Sequence, residues 1–207
     1  MVKKKINKTI NRWKRYHRIS GVGIITRRYF VMNAFDGALT MLGVVIGAFV
    51  AGQLDSRVII TAAIAGSIAM GASGMSGAYM TEKAERKKKL KKLEKAMLKE
   101  LKDTVHDKSH KFASIFAAVV DGVSPAIAAM VVVSPFFLSH FGTIAFEVAF
   151  FSSISLTLIL LSILGVYLAK ISDESMIRYG LQMLLVGILV AFICIGTSLL
   201  LGGELAV

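Results

Sequence analysis

Five long apolar runs limit what this chain can fold into. They lie at about residues 29–54, 58–80, 112–138, 143–167 and 176–201. As a helix, each is long enough to cross the hydrocarbon core of a bilayer. Lipid offers the backbone no hydrogen-bond partner, so only helices and closed barrels span membranes, and the sequence carries no β-hairpin signal. The sequence therefore predicts an all-α polytopic membrane protein with five transmembrane helices.

The basic residues are distributed on one side of this predicted topology. Of the 25 Lys and Arg residues, ten precede Tyr29 and twelve lie between Lys83 and Lys111. With a cytoplasmic N-terminus, 24 of the 25 fall on the cytoplasmic side and only Arg57 lies outside, as the positive-inside rule requires. This pattern accounts for the net charge of +12 without nucleic acid as a partner. We expect a multi-pass cell-membrane protein whose C-terminus is external.

The charge pattern also divides the chain. A basic segment at 1–28 precedes helices 1 and 2 at 29–80, an insert at 81–111, and helices 3 to 5 at 112–202. The first segment has roughly helical apolar spacing with Trp13 and Tyr16, which is typical of an amphipathic helix on an anionic lipid surface. A disordered basic tail that only sets topology is the alternative. The single cysteine, Cys194, excludes a disulfide framework and a cysteine-based metal cluster.

Asp36 is the only ionisable residue of the first apolar run before its far end. A carboxylate at membrane depth costs at least about 2.5 kcal/mol on insertion scales, so it is expected to face a partner, a cavity or an ion. Thr40 lies one helical turn further along the same face. Gly43 and Gly47 form a pattern of small residues that lets another helix approach closely.

The second run is rich in small residues, with methionines among them at positions 70, 75 and 80. A thioether beside exposed backbone could ligate a transition metal. The alternative is that these methionines fill gaps in a closely packed bundle.

Two short motifs resemble those of the vacuolar iron transporter family. They are Asp36-Gly37 with Thr40 four residues after the aspartate, and a second run that ends Met75-Ser-Gly-Ala-Tyr-Met80. The resemblance implies a five-span homodimer that moves Fe²⁺, and often Mn²⁺, out of the cytosol in exchange for protons. It implies no enzymatic activity and no cofactor besides the transported ion. It assigns the membrane-embedded acid to Asp36 and a methionine ligand to Met75 or its neighbour. The family often carries a glutamate in the middle of the second span, where this chain has Ala65-Gly66-Ser67-Ile68.

The insert at 81–111 has one apolar stripe at helical spacing, formed by Leu90, Leu93, Met97 and Leu101, which predicts an amphipathic cytoplasmic helix. In the family, glutamates and methionines of the insert capture metal. Here the spacing i,i+3 relates Glu82 to Glu85 and Met97 to Glu100, and such pairs can ligate a divalent ion. The alternative is a solvated helix whose acids pair with lysines at i,i+4. Twelve basic residues against six acidic ones in the insert disfavour a cation.

Part of the sequence is repeated. Asp121-Gly122 follows Asp36-Gly37 at a separation of 85, and Gly165-Val-Tyr167 follows Gly77-Ala-Tyr79 at a separation of 88. Spans 1–2 and 3–4 are therefore interpreted as a duplicated hairpin in parallel orientation. On this interpretation Asp36 and Asp121 are expected to share a polar cavity. Pro125 has no N–H for the Asp121 carbonyl, which indicates either a kinked helix at a cation site or an ordinary proline kink.

Together these features favour a proton-coupled exporter of Fe²⁺ or Mn²⁺. Asp36 and Asp121 are its expected acids, Met70 and Met75 its soft ligands, and Glu147 an outer acceptor or proton site. A non-transporting scaffold that binds anionic lipid or an acidic protein is the alternative, although it would not need two intramembrane carboxylates. A membrane-embedded enzyme is disfavoured because all four histidines lie outside the spans.

Overall fold

The computed structural model describes residue 13 and residues 15–102 and 104–201. Its long helices are α1 (Val22–Val50), α2 (Ser56–Met97), α3 (Val105–His140), α4 (Phe146–Ser172) and α5 (Met176–Leu200). The described residues contain no strand. Each of the five helices includes a stretch that is long and apolar enough to cross a membrane. The predicted all-α fold with five transmembrane helices is confirmed.

The second span and the first part of the insert form one continuous helix. α2 runs for 42 residues, from Ser56 through the basic run to Met97. After Met80 this stretch is mostly Glu, Lys, Arg, Leu and Ala, which are strong helix formers. Salt bridges at i,i+4 support it further. The helix ends before Leu98, whose φ of 47° is left-handed, and the chain turns there towards α3.

The described residues divide into two compact units, which we call the first and the second unit. The first comprises those of Met1–Phe30 and Ala72–Val123, and the second comprises those of Val31–Gly71 and Ser124–Val207. Three of the long helices therefore contribute to both units, whereas α4 and α5 belong to the second unit alone.

The first unit has an aromatic and small-residue core. Val22, Ala113 and Ala117 are fully buried, and Tyr29 and Phe116 pack against them. Residues 15–20 are helical, and Trp13 places its ring 5.8 Å from that of Phe112. The described part of the basic N-terminal segment thus packs on the start of α3, while its residues 1–12 lie outside the described residues.

The second unit is held by aromatic stacking and close helix contacts. Phe49 of α1 stacks on Phe150 of α4 at 4.0 Å between ring centroids. The Ser153 hydroxyl of α4 donates a 2.7 Å hydrogen bond to the Val132 carbonyl of α3. Only 6% of the most apolar stretch of α5 is buried within the chain.

Candidate functional site

Asp36 lies on a face of α1 that is turned away from the core of its own unit. Asp36 and Thr40 are exposed, and Met32, one turn before Asp36, is 53% exposed. On the opposite face Ala38 and Leu42 are at most 1% exposed. Within an apolar helix, such a carboxylate needs an ion, water or a second protein surface as its neighbour.

The residue after Asp36 fixes the position of α1 against α3. A β-carbon added at Gly37 would lie 2.4 Å from the Pro125 carbonyl oxygen and 2.6 Å from its Cα. Only glycine allows this contact, because the obstacle is backbone and cannot rotate away. Both residues belong to the second unit. The two residues of the Asp-Gly pair therefore act together. Gly37 lets α1 approach α3 closely, and this contact sets the position of the Asp36 carboxylate along the two helices.

Asp121 is buried in the first unit, where its side chain packs on α2. It is 7% exposed. A β-carbon at Gly74 would lie 2.7 Å from its Oδ2 atom and 3.5 Å from its carbonyl oxygen. The small residue at position 74 thus makes room for both acceptor groups of Asp121, one turn before Pro125.

The methionines of α2 differ in their surroundings. Met70 is partly buried, whereas Met75 is 40% and Met80 is 70% exposed. The gap-filling role therefore fits Met70 better than it fits Met75 or Met80. Met75 presents its thioether outside the chain's own core and stays a candidate ligand.

Glu82 is buried beside a cation rather than open to solvent. It is 3% exposed, accepts a hydrogen bond from the Tyr29 hydroxyl at 3.2 Å, and pairs with Arg86 Nε at 2.9 Å. A metal ion at Glu82 would have to displace or share these partners.

The other candidates of the insert are at the surface. Glu85, beyond the apolar part of α2, pairs with Lys89 at 2.7 Å, and the hydrogen bond and charge of that lysine hold the pKa of Glu85 below its ordinary value. Met97 is 55% exposed at the end of α2, and Glu100 is exposed in the connection to α3. Capture of metal by these residues stays a prediction.

Glu147 occupies the first turn of α4 and is exposed. Within the part of the chain that the structure describes, no group of three or more His, Cys, Asp and Glu side chains could hold a metal ion. A site made of acids alone is therefore not assembled by these residues within one chain.

Sequence reasoning quoted Gly37 as part of the Asp-Gly motif but assigned no packing role to Gly37 or Gly74, and it did not single out Arg86. The glycines could have been suspected because each lies in an apolar helix, where glycine is unfavourable without a packing reason. Arg86 follows Glu82 at i,i+4, which is the spacing of a helical ion pair. The partner Tyr29 is 53 residues from Glu82, and no local signal connects them.

Comparison with known proteins agrees with this architecture. The model of the VIT family, the vacuolar iron transporter family, matches residues 27–108 and 87–198. An uncharacterised protein of Methanocaldococcus jannaschii is 38% identical over 170 residues, which cover 81% of this chain and 85% of that protein. The matched residues include all of α3 and α4, and Asp36 and Asp121 with them. This chain is a member of the VIT family, a family of membrane metal-ion transporters.

Proposed function

We propose that this protein exports Fe²⁺ or Mn²⁺ from the cytosol in exchange for protons. Family membership supports metal-ion transport. The observation that carries the proposal is the carboxylate of Asp36, which is exposed in the middle of an apolar helix. A structural role inside this chain would have buried or paired that group, whereas an ion-binding role requires that it be reachable.

The side chains that we assign to the pathway are of types that suit a borderline metal ion and a proton. A carboxylate can hold either a proton or a cation, so occupation by one displaces the other. Thr40 adds a hydroxyl oxygen one turn away, and Met70 and Met75 offer thioethers, which select transition metals over Mg²⁺ or Ca²⁺. Asp121 is the second acid of the proposal, and Glu147 near the start of α4 is the proposed outer acceptor.

We further propose that a second copy of the chain completes the site. Among the described residues of one chain, no group of three or more His, Cys, Asp and Glu side chains could hold a metal ion. Met32, Asp36 and Thr40 form an exposed stripe on α1, and Gly47 on the same helix has no atom near its side-chain position. Pairing of two such faces would give both Asp36 carboxylates a common neighbour, in line with the homodimer that the family resemblance implies.

Transport by purified protein in liposomes tests this function. An encapsulated fluorescent chelator would report Mn²⁺ uptake, and a pH-sensitive dye would report proton movement. Asp36→Asn keeps the shape of the side chain but removes its charge, so it is expected to lower uptake about tenfold or more. Asp55→Asn is the matched control, because Asp55 lies in the turn after α1, where its Oδ1 accepts a 2.8 Å hydrogen bond from the Arg57 N–H.

The possible outcomes separate the proposals. Equal uptake by Asp36→Asn and the unchanged protein would remove Asp36 from the pathway. Uptake without any change in internal pH would refute proton exchange while leaving metal transport in place. A folded protein that moves neither Fe²⁺ nor Mn²⁺ would favour the scaffold that binds anionic lipid or an acidic partner.

A further inference from the structure

A large basic cavity lies in the first unit, between the polar part of α2 and the beginning of α3. Its volume is about 740 Å³, which is in the range of small-molecule sites. Six cationic side chains line it, namely Lys83, Arg86, Lys87, Lys91, Lys102 and Lys111. Three carboxylates line it as well, so the charged side chains around the cavity are predominantly positive.

Two of these carboxylates already have structural partners. Glu94 Oε1 accepts a 2.9 Å hydrogen bond from the Leu101 N–H, across the turn that follows α2. Asp107 Oδ2 accepts one from Lys111 Nζ at 2.8 Å. The third, Glu100, is exposed. With six cationic side chains against these three carboxylates, the wall keeps an excess of three positive charges.

Arg86 is the buried member of the basic set. Only 5% of it is exposed. Its Nε donates to Glu82 Oε2 at 2.9 Å and its Nη1 to the Ser20 carbonyl at 3.3 Å. Its Nη2 is buried and has no hydrogen-bond partner. Two contacts thus hold the guanidinium in place, while one donor nitrogen is left over in a residue that lines the cavity.

A second orphaned group lies in the same wall. Nδ1 of His110, which also lines the cavity, is buried without a hydrogen-bond partner. Buried polar atoms in native proteins are nearly always paired with protein or a bound species. Arg86 Nη2 can only donate, so it lacks an acceptor, and His110 adds a second polar atom without a partner around the same basic cavity.

We propose that this cavity is a binding site for a phosphate-bearing anion. Nη2 of Arg86 is the donor left for a phosphate oxygen, and the lysines add point charges. The excess of positive charge repels a divalent cation, so the site differs in kind from metal capture. Leu90 and Ile115 also line the cavity and provide apolar surface for the remainder of the ligand.

Two sources of phosphate fit this chemistry. Tyr79, Ser114 and Ile115 of the wall lie where α2 and α3 change from apolar to polar sequence, which is the level at which basic pockets bind lipid headgroups. A soluble polyphosphate could occupy the same donors. The proposal does not rest on the transport pathway, because none of its evidence comes from Asp36 or Asp121, whereas Glu100 of the wall is also a candidate for metal capture.

Native mass spectrometry of the full chain in detergent tests the proposal with two probes, inorganic pyrophosphate and dioleoyl phosphatidic acid. Lys83→Gln/Lys87→Gln removes two charges from the cavity wall and is expected to weaken binding about tenfold or more, since charge-assisted contacts to phosphate are lost. Lys88→Gln/Lys92→Gln is the matched control, because it removes the same charge from side chains outside this cavity. Glu82→Gln/Arg86→Gln tests the buried donor without leaving an unpaired buried charge.

Each outcome is decisive. If the unchanged protein binds pyrophosphate and the cavity variants do not, the ligand is a soluble phosphate compound. If this loss is seen only with phosphatidic acid, the ligand is a lipid headgroup. Absence of binding by both probes overturns the site. An equal loss in the Lys88/Lys92 control shows adsorption on a basic surface and overturns it too. If the Glu82/Arg86 variant does not fold, the Lys83/Lys87 variant decides alone.

Discussion

Asp121 Oδ2 lies 2.7 Å from the point at which a β-carbon on Gly74 would stand. Real side chains do not tolerate that distance, so the carboxylate can keep this position only if residue 74 has no side chain. A side chain at residue 74 would therefore push this buried carboxylate out of its position. An acid that we place in the transport pathway therefore depends on a glycine 47 residues earlier in the chain.

This contact predicts that Gly74→Ala impairs transport without unfolding the protein. The added methyl group displaces the Asp121 carboxylate, and a displacement of about 1 Å at a reacting group can cost up to about a hundredfold in rate. Alanine favours a helix over glycine by up to about 1 kcal/mol, so lower helix stability cannot explain a loss. Mn²⁺ uptake in liposomes would measure the effect, and thermal unfolding would monitor folding.

Gly77→Ala is the matched control, because no atom lies within 4 Å of a β-carbon at that position on the same helix. We expect it to transport at nearly the rate of the unchanged protein. If Gly74→Ala does so too, the position of Asp121 has no bearing on transport.

The features that could be predicted from the sequence are local ones. Span length and hydropathy are properties of consecutive residues, and they identified all five membrane-spanning helices. Asp36 and Asp121 stood out because a carboxylate is costly in an apolar run. The contacts of Gly37 with Pro125 and of Gly74 with Asp121 depend on how separate helices are aligned, which helical periodicity does not determine.

The repeated motifs also show that the sequence does not determine which neighbours a residue has in the fold. Asp36 is exposed, whereas Asp121 is buried. Similarly, Gly77 has open space beside it, whereas a β-carbon at Gly165 would lie 2.5 Å from the Tyr179 carbonyl oxygen. Matching sequence therefore does not give matching neighbours. For the two glycines the reason is that α5 packs against α4, whereas the described residues contain no sixth long helix that could pack against α2 in the same way. The shared cavity expected for the two aspartates stays a prediction.

The buried ion pair predicts a large loss of stability for Glu82→Gln. The substitution leaves the charge of Arg86 buried without its counter-ion, and breaking such pairs costs about 3–5 kcal/mol. We expect a clearly lower thermal midpoint in detergent. Glu82→Gln/Arg86→Gln should recover part of the loss, because no buried charge is then left unpaired.

Glu85→Gln provides the comparison for this experiment. Its pair with Lys89 is about half exposed on both sides, and exposed pairs contribute only about 0–1 kcal/mol. A similar small effect at both positions would show that the Glu82–Arg86 pair is as hydrated as a surface pair. Mn²⁺ binding by the same variants would show whether either glutamate also captures metal.

The charge distribution predicts a cytoplasmic N-terminus, which cysteine labelling can check. In a Cys194→Ser background, cysteines at Gln53 and Phe141 should react with an impermeant maleimide in intact cells, because both residues are exposed in turns on the predicted outer side. Ser56 is less suitable, since it is buried and donates a 2.9 Å hydrogen bond to Ser139. A cysteine at Lys88 should react only after the cells are opened. The reverse pattern would invert the proposed direction of transport.

The open side of Gly47 predicts that this residue faces a second subunit. No atom of the chain lies within 4 Å of a β-carbon there, so Gly47→Leu can be accommodated within one protomer. At an interface between two α1 helices the same leucine would prevent close approach, and overpacking of this kind costs about 1–3 kcal/mol. We therefore expect the dissociation constant of the dimer in detergent to rise roughly tenfold, as measured by cross-linking or light scattering over a range of protein concentrations. Gly196→Leu on α5 is the control, because its side-chain position is equally open. A dimer weakened equally by both substitutions, or a protein that is monomeric throughout, would remove α1 from the interface and leave Asp36 without the second subunit that our proposal assigns to it.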